Sequence, residues 1–107
     1  MPENPKDSDD IYRLIMEMKN DRDLWKRRDA AFALQKKTEA IVTRALIEAA
    51  MSETDSNVLE GVAVALGNDF RTKDVIPALR HIQRMEGDGY RWSRLRAEQS
   101  LKNLKAD

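Results

Sequence analysis

The sequence predicts an all-α protein of three antiparallel helical hairpins. Three observations carry this. Apolar residues recur at the 3.6-residue period in six segments, short polar turns with capping residues separate those segments, and alternate helices repeat at spacings of 32 and 35 residues. Sustained period-two alternation is missing from the sequence, so strands are not expected. A chain of 107 residues fits one domain. The reading assigns 1–7 to a flexible N-terminal segment and 8–107 to a single repeat domain.

The first helix is expected from Ser8 to Lys19. Ile11, Leu14, Ile15 and Met18 form one apolar face, and Asp7 or Ser8 can cap its free N–H groups. The second covers Leu24 to Lys37, capped by Asp23, with Ala30, Ala31, Ala33 and Leu34 facing inward. The third follows a Thr38 cap and runs to Met51, burying Ile41, Val42, Ala45, Leu46 and Ala49. The fourth covers Asn57 to Leu66. Gly67 and Asn68 stop it, since both types tolerate the left-handed conformation at a helix end. The fifth runs from Lys73 to Met85, with Val75, Ile76, Leu79, Ile82 and Met85 on one side and Pro77 near its start, where a missing N–H costs little. Gly87-Asp88-Gly89 makes a turn, and the sixth helix, Tyr90 to Lys105, buries Ala97, Leu101 and Leu104.

Leu34, Leu66 and Leu101 anchor the repeat. Four residues before each stand Ala30, Val62 and Ala97; one before stand Ala33, Ala65 and Ser100. Seven before stand Arg27, Leu59 and Arg94, and nine before stand Trp25, Asn57 and Trp92. Small residues thus recur where two helices must approach closely. The odd helices repeat as well, in Thr38-Glu-Ala-Ile-Val and Thr72-Lys-Asp-Val-Ile, each a capping threonine before two apolar residues. The stretches 58–67 (VLEGVAVALG), 27–34 (RRDAAFAL) and 94–101 (RLRAEQSL), with Ile76-Pro-Ala-Leu79, resemble the HEAT-like α-helical repeat family in its short bacterial, phycobilisome-lyase-type form. Leu59 departs from that pattern, where an Arg is usual, and no Gly follows Leu34. The resemblance implies a right-handed α-α superhelix, a solenoid whose second helices line a concave surface. One hairpin cannot bury its stripe alone, whereas about three stacked hairpins share a continuous core.

Composition excludes several function classes. Without cysteine there are no disulfides, thiolate metal sites or cysteine nucleophiles, and a cytoplasmic setting is expected. The polar, acidic stretch Met1 to Asp10 does not read as a targeting peptide, and no apolar run is long enough for a membrane span. Net charge is zero, yet 38–70 carries −5 between basic segments 20–37 (+3) and 71–107 (+4). That alternation disfavours a uniformly basic nucleic-acid surface. His81 stands alone, and neither a nucleophile elbow nor a phosphate-binding glycine loop occurs. No enzyme activity, metal or cofactor is expected.

Two groups of residues are candidates for binding. Trp25 and Trp92 occupy equivalent repeat positions beside basic residues: Lys26, Arg27 and Arg28 follow the first, and Arg91, Arg94 and Arg96 surround the second. Exposed, they form aromatic-cationic patches. The burial gain of a large ring favours the other arrangement, each ring packed over its own turn. The second group lies opposite the core. Phe32, Val64 and Gln99 stand two residues before the anchors, and Arg28, Glu60 and Leu95 six before. This row either fills contacts between repeats or lines a binding groove. Arg27 and Arg94 are also placed to pair with loop carboxylates.

The expected function is a non-catalytic protein–protein interaction or scaffold module presenting the concave face of the second helices to a protein partner. The binding candidates are Trp25, Arg28, Phe32, Glu60, Val64, Trp92, Arg96 and Gln99. The alternatives are nucleic-acid binding through the Trp/Arg patches, or a small regulatory or inhibitory subunit of a larger enzyme. The chain is expected as a monomer or a weak homodimer.

Overall fold

The computed structural model describes residues 5–68, 70–71 and 73–106, with side chains from Asp10 onward. Among the described residues six α-helices follow one another: α1 (Pro5–Asn20), α2 (Leu24–Ala33), α3 (Ala40–Ser52), α4 (Ser56–Leu66), α5 (Val75–Gln83) and α6 (Arg91–Asn103). A 3-10 turn, Asp88–Tyr90, leads into α6. No strand occurs among the described residues.

Consecutive helices pair as α1/α2, α3/α4 and α5/α6, the three expected hairpins. The odd helices lie side by side in one layer, α3 between α1 and α5. The even helices form the other, with α4 between α2 and α6. Principal extents of 43 × 32 × 15 Å describe a thin two-layer slab. Every helix therefore keeps an outer face, and the core lies between the layers.

Leu34, Leu46, Leu59, Leu66, Leu79, Ile82 and Met18 fill that core and are fully buried. In α3 the stripe Val42, Ala45, Leu46, Ala49 points inward, leaving Ile41 a turn-step away and exposed. Ala33 is likewise exposed, because α2 turns Ala30, Ala31 and Leu34 toward its neighbours. Both were expected inside.

Several ends differ from expectation. α1 begins at Pro5, so residues 5–7 belong to its first turn and Asp7 and Ser8 lie inside it; their side chains are outside the described residues. α2 stops at Ala33, since Gln35 and Lys37 donate to carbonyls three residues back in a tighter winding. α3 starts from Glu39, extended at φ −61° and ψ 139° with no side-chain cap bond, so Thr38 is not its cap. Thr72 lies outside the described residues. Before α5, Lys73 and Asp74 form a turn, with Ile76 N–H donating to the Lys73 carbonyl. At the end of α6, Lys105 takes φ 57° and Ala106 N–H reaches the Leu101 carbonyl at 2.9 Å, closing the helix without glycine.

The cap of α2 matches the sequence. The Asp23 carboxylate accepts from Trp25 N–H at 2.9 Å. Asp55 does the same for α4, accepting from Asn57 N–H at 2.9 Å and Val58 N–H at 3.3 Å. Asp55→Ala should cost about 1 kcal/mol of stability, the usual loss for an N-cap. Urea unfolding checks this, with Asp55→Ser expected to recover most of it.

Arginines tie the hairpins together. Arg27 meets Glu53 at 3.3 Å and donates to the Asp21 carbonyl at 2.8 Å, joining the first hairpin to the turn of the second. Among the described residues Arg94 takes no carboxylate. It donates to the Met85 and Gly87 carbonyls at 2.8 and 2.7 Å, which lie in the turn that Gly87, at φ 109°, makes possible.

Candidate binding surface

The outer face of the even layer follows from what each even helix buries. α4 buries Val58, Leu59, Gly61, Val62, Ala63, Ala65 and Leu66, which leaves Asn57, Glu60 and Val64 on a stripe at i, i+3 and i+7. α6 buries Ser93, Ala97, Ser100 and Leu101, leaving Trp92, Arg96 and Gln99 outward. On α2, Trp25, Arg28 and Phe32 take the same place beside buried Ala30 and Ala31. All eight candidate residues thus share one face.

That face is held close by small residues. Gly61 lets α4 approach α2: a methyl group there would stand 3.1 Å from the Arg28 carbonyl and 3.4 Å from the Phe32 ring. Ser93 and Ser100 donate to the Ser56 and Ala63 carbonyls, both at 2.7 Å, and fasten α6 to α4. Contacts of Ser93, Arg96 and Ser100 with Ser56, Glu60 and Ala63, and of Gly61 and Asn68 with Arg28 and Gln35, advance in the same order, so α2, α4 and α6 run parallel. Trp25 and Trp92 therefore sit at the same end of the layer. Two helix-to-helix steps of about 8–10 Å separate their helices.

Both tryptophans are exposed, Trp25 at 53% and Trp92 at 62%. The expected packing of each ring over its own turn does not occur. Asp21 and Asp23 instead bond the backbone of the α1–α2 turn, and each ring pairs with a guanidinium. Arg28 lies 5.7 Å from the Trp25 centroid and 5.0 Å from that of Phe32. Arg91 lies 5.7 Å from that of Trp92. Such stacking is worth about 0.5–1 kcal/mol at exposed sites.

Phe32 and Val64 are half-buried. Phe32 meets both the α2–α4 contact and Arg28, so it serves inter-helix packing and the outer surface together. Glu60 bridges to Arg96 Nε at 3.1 Å, with Glu60 largely covered and Arg96 half exposed. Gln99 donates to Asn103 on its own helix. Beside it Leu95, 42% exposed, joins Trp92 in a shallow depression completed by Arg96 and Lys102.

One polar residue that carries much of the architecture was not singled out by the sequence. Arg71 is buried, and its guanidinium donates to the Ala65 carbonyl (2.9 Å), Thr43 Oγ1 (2.6 Å), the Leu34 carbonyl (3.2 Å) and the Gln35 carbonyl (3.1 Å). A basic residue shortly beyond a helix end was its one sequence signal. Among the described residues no group of three His, Cys, Asp or Glu side chains could hold a metal ion, and no helix is long and apolar enough to cross a membrane. Compared with known proteins, the chain matches no family model, no curated protein and no solved structure.

Proposed function

We propose that this chain is a non-catalytic interaction module, a HEAT-like stack of hairpins that presents the outer face of α2, α4 and α6 to a protein partner. We place it in the cytoplasm, on its cysteine-free composition. The observation that carries the reading is the exposure of two tryptophans on one face, each beside an arginine. Exposed Trp and Arg are the residue types that dominate binding energy at protein interfaces. A ring left half in water loses part of the burial gain it would have in a core, about 25 cal/mol per Å² of apolar surface. A partner covering the ring recovers that gain.

Affinity capture from source lysate with Trp25→Ala, Phe32→Ala and Trp92→Ala variants tests this. A specific partner retained by the parent chain should fall at least tenfold with each tryptophan variant, while far-UV circular dichroism stays unchanged. Tyr12 and Met16, exposed on α1 in the other layer, provide the control. Undiminished capture by the tryptophan variants, or equal loss with Tyr12→Ala, would overturn the choice of face.

A further inference from the structure

Arg28 differs from the other covered arginines whose partners are described above. Arg27, Arg71 and Arg94 each commit their guanidinium to hydrogen bonds or an ion pair within the chain. Arg28 is half-buried, lies against two aromatic rings, and has no carboxylate within ion-pair distance among the described residues. Its Nε is buried without a hydrogen-bond partner among the described residues. The rings of Trp25 and Phe32 hold the guanidinium and leave its terminal Nη edge for an outside acceptor.

We propose that Arg28, flanked by Trp25 and Phe32, is the receptor for a side-chain carboxylate on an acidic, apolar protein segment lying across α2, α4 and α6. This rests on the interaction reading above and names the chemistry of the partner. A planar guanidinium matches a carboxylate through two parallel N–H···O bonds, and the adjoining rings accept apolar groups beside it. An extended segment gains about 3.3 Å per residue, so roughly six residues reach from the Trp25 end of α2 to Trp92 on α6. The basic residues lie at the two flanks, Lys26 and Arg28 on α2 and Arg91 and Arg96 on α6. Glu60 and Asn57 lie on α4 between them, within the stretch 38–70 of net charge −5. A continuous phosphate backbone would find no free cation on α4 midway, because Glu60 already takes up Arg96. Discrete carboxylates spaced along a peptide need none there.

The test uses the full chain, isotope-labelled, titrated with two blocked hexapeptides: one alternating leucine and glutamate, the other leucine and glutamine. The glutamate peptide should shift the Arg28 Nε–H and Trp25 indole N–H resonances. The glutamine peptide should bind at least tenfold more weakly. In Arg28→Gln the Trp25 shift should vanish, whereas Lys73→Gln, an exposed lysine before α5, should retain it. The comparison between peptides needs no variant, so a folding defect in Arg28→Gln leaves the proposal exposed to failure. Equal binding of the two peptides overturns the carboxylate assignment while leaving the interaction face standing, since that face is judged by lysate capture. No shift at Arg28 and Trp25, or tighter binding of a twelve-nucleotide oligothymidine at the same resonances, overturns it as well.

Discussion

Replacing Arg71 with methionine should lower the unfolding free energy by about 3–5 kcal/mol, because several buried acceptors lose one charged donor together. The guanidinium sits where two parallel helices end. Ala65 belongs to the last turn of α4, while Leu34 caps α2 and Gln35 follows it. Carbonyls at a helix end lack intrahelical partners and carry the negative end of the helix dipole. Arg71 meets both ends at once and adds Thr43 of α3, so one side chain links the first two hairpins to the chain entering the third. Burial lowers its pKa, yet an arginine stays protonated at neutral pH. The charge is compensated by the carbonyls it touches. Methionine fills part of the volume and leaves those acceptors short of donors, each at about 1–3 kcal/mol where water cannot reach. Asn68, which also donates to the Gln35 and Ala65 carbonyls, limits the loss. Arg71→Lys should recover less than half, because a single ammonium cannot span four acceptors. Thr43→Val, which removes one acceptor, should cost about 1 kcal/mol. Urea midpoints at constant slope measure all three. A loss below about 1 kcal/mol for Arg71→Met would show that the clamp does not hold the helix ends.

Arg71 also marks where the sequence stops being legible. The stripes of α1, α3 and α5 could be read because burial imposes a period on side chains along one helix. The outer face of the even layer could be read because its members keep fixed offsets from Leu34, Leu66 and Leu101. A guanidinium that bonds main-chain carbonyls leaves no such trace, since every residue type offers the same carbonyl. Tryptophan failed for a different reason. Its ring gains from burial wherever a pocket exists, but the polar bonds of Asp21 and Asp23 occupy the turn beside Trp25, and the ring stacks on Arg28 instead. Helix ends moved by a few residues where tighter winding competed with the α-helical ladder, as after Ala33. The glycine after Leu66 was read correctly as a boundary and wrongly as to cause.

Gly67→Ala should destabilise the chain by about 1–3 kcal/mol, the usual cost of forcing a methyl group into a closed contact. Backbone freedom is not the reason. Gly67 has φ −82° and ψ 8°, a conformation open to any residue. Space is the reason: a Cβ at position 67 would overlap Ser100 Oγ, lie 2.6 Å from Ser100 Cβ and stand 3.1 Å from Ser100 Cα. The last contact involves the backbone of α6, so rotating the serine side chain cannot relieve it. Ser100 is also held, because its hydroxyl donates to the Ala63 carbonyl at 2.7 Å. An alanine at 67 must therefore push α6 away from α4 or break that bond. Ser100→Gly alone should cost about 1–2 kcal/mol, from the lost hydrogen bond and a glycine placed within a helix. Combined, the two substitutions should cost clearly less than their sum, by about 1 kcal/mol, since removing Ser100 Cβ and Oγ opens the space that the new methyl group needs. A double-mutant cycle on thermal or urea unfolding reads this coupling directly. Strict additivity would mean that the tight approach of α6 to α4 at Gly67 does not exist in solution. The even layer would then lose the spacing that sets Arg96 beside Glu60.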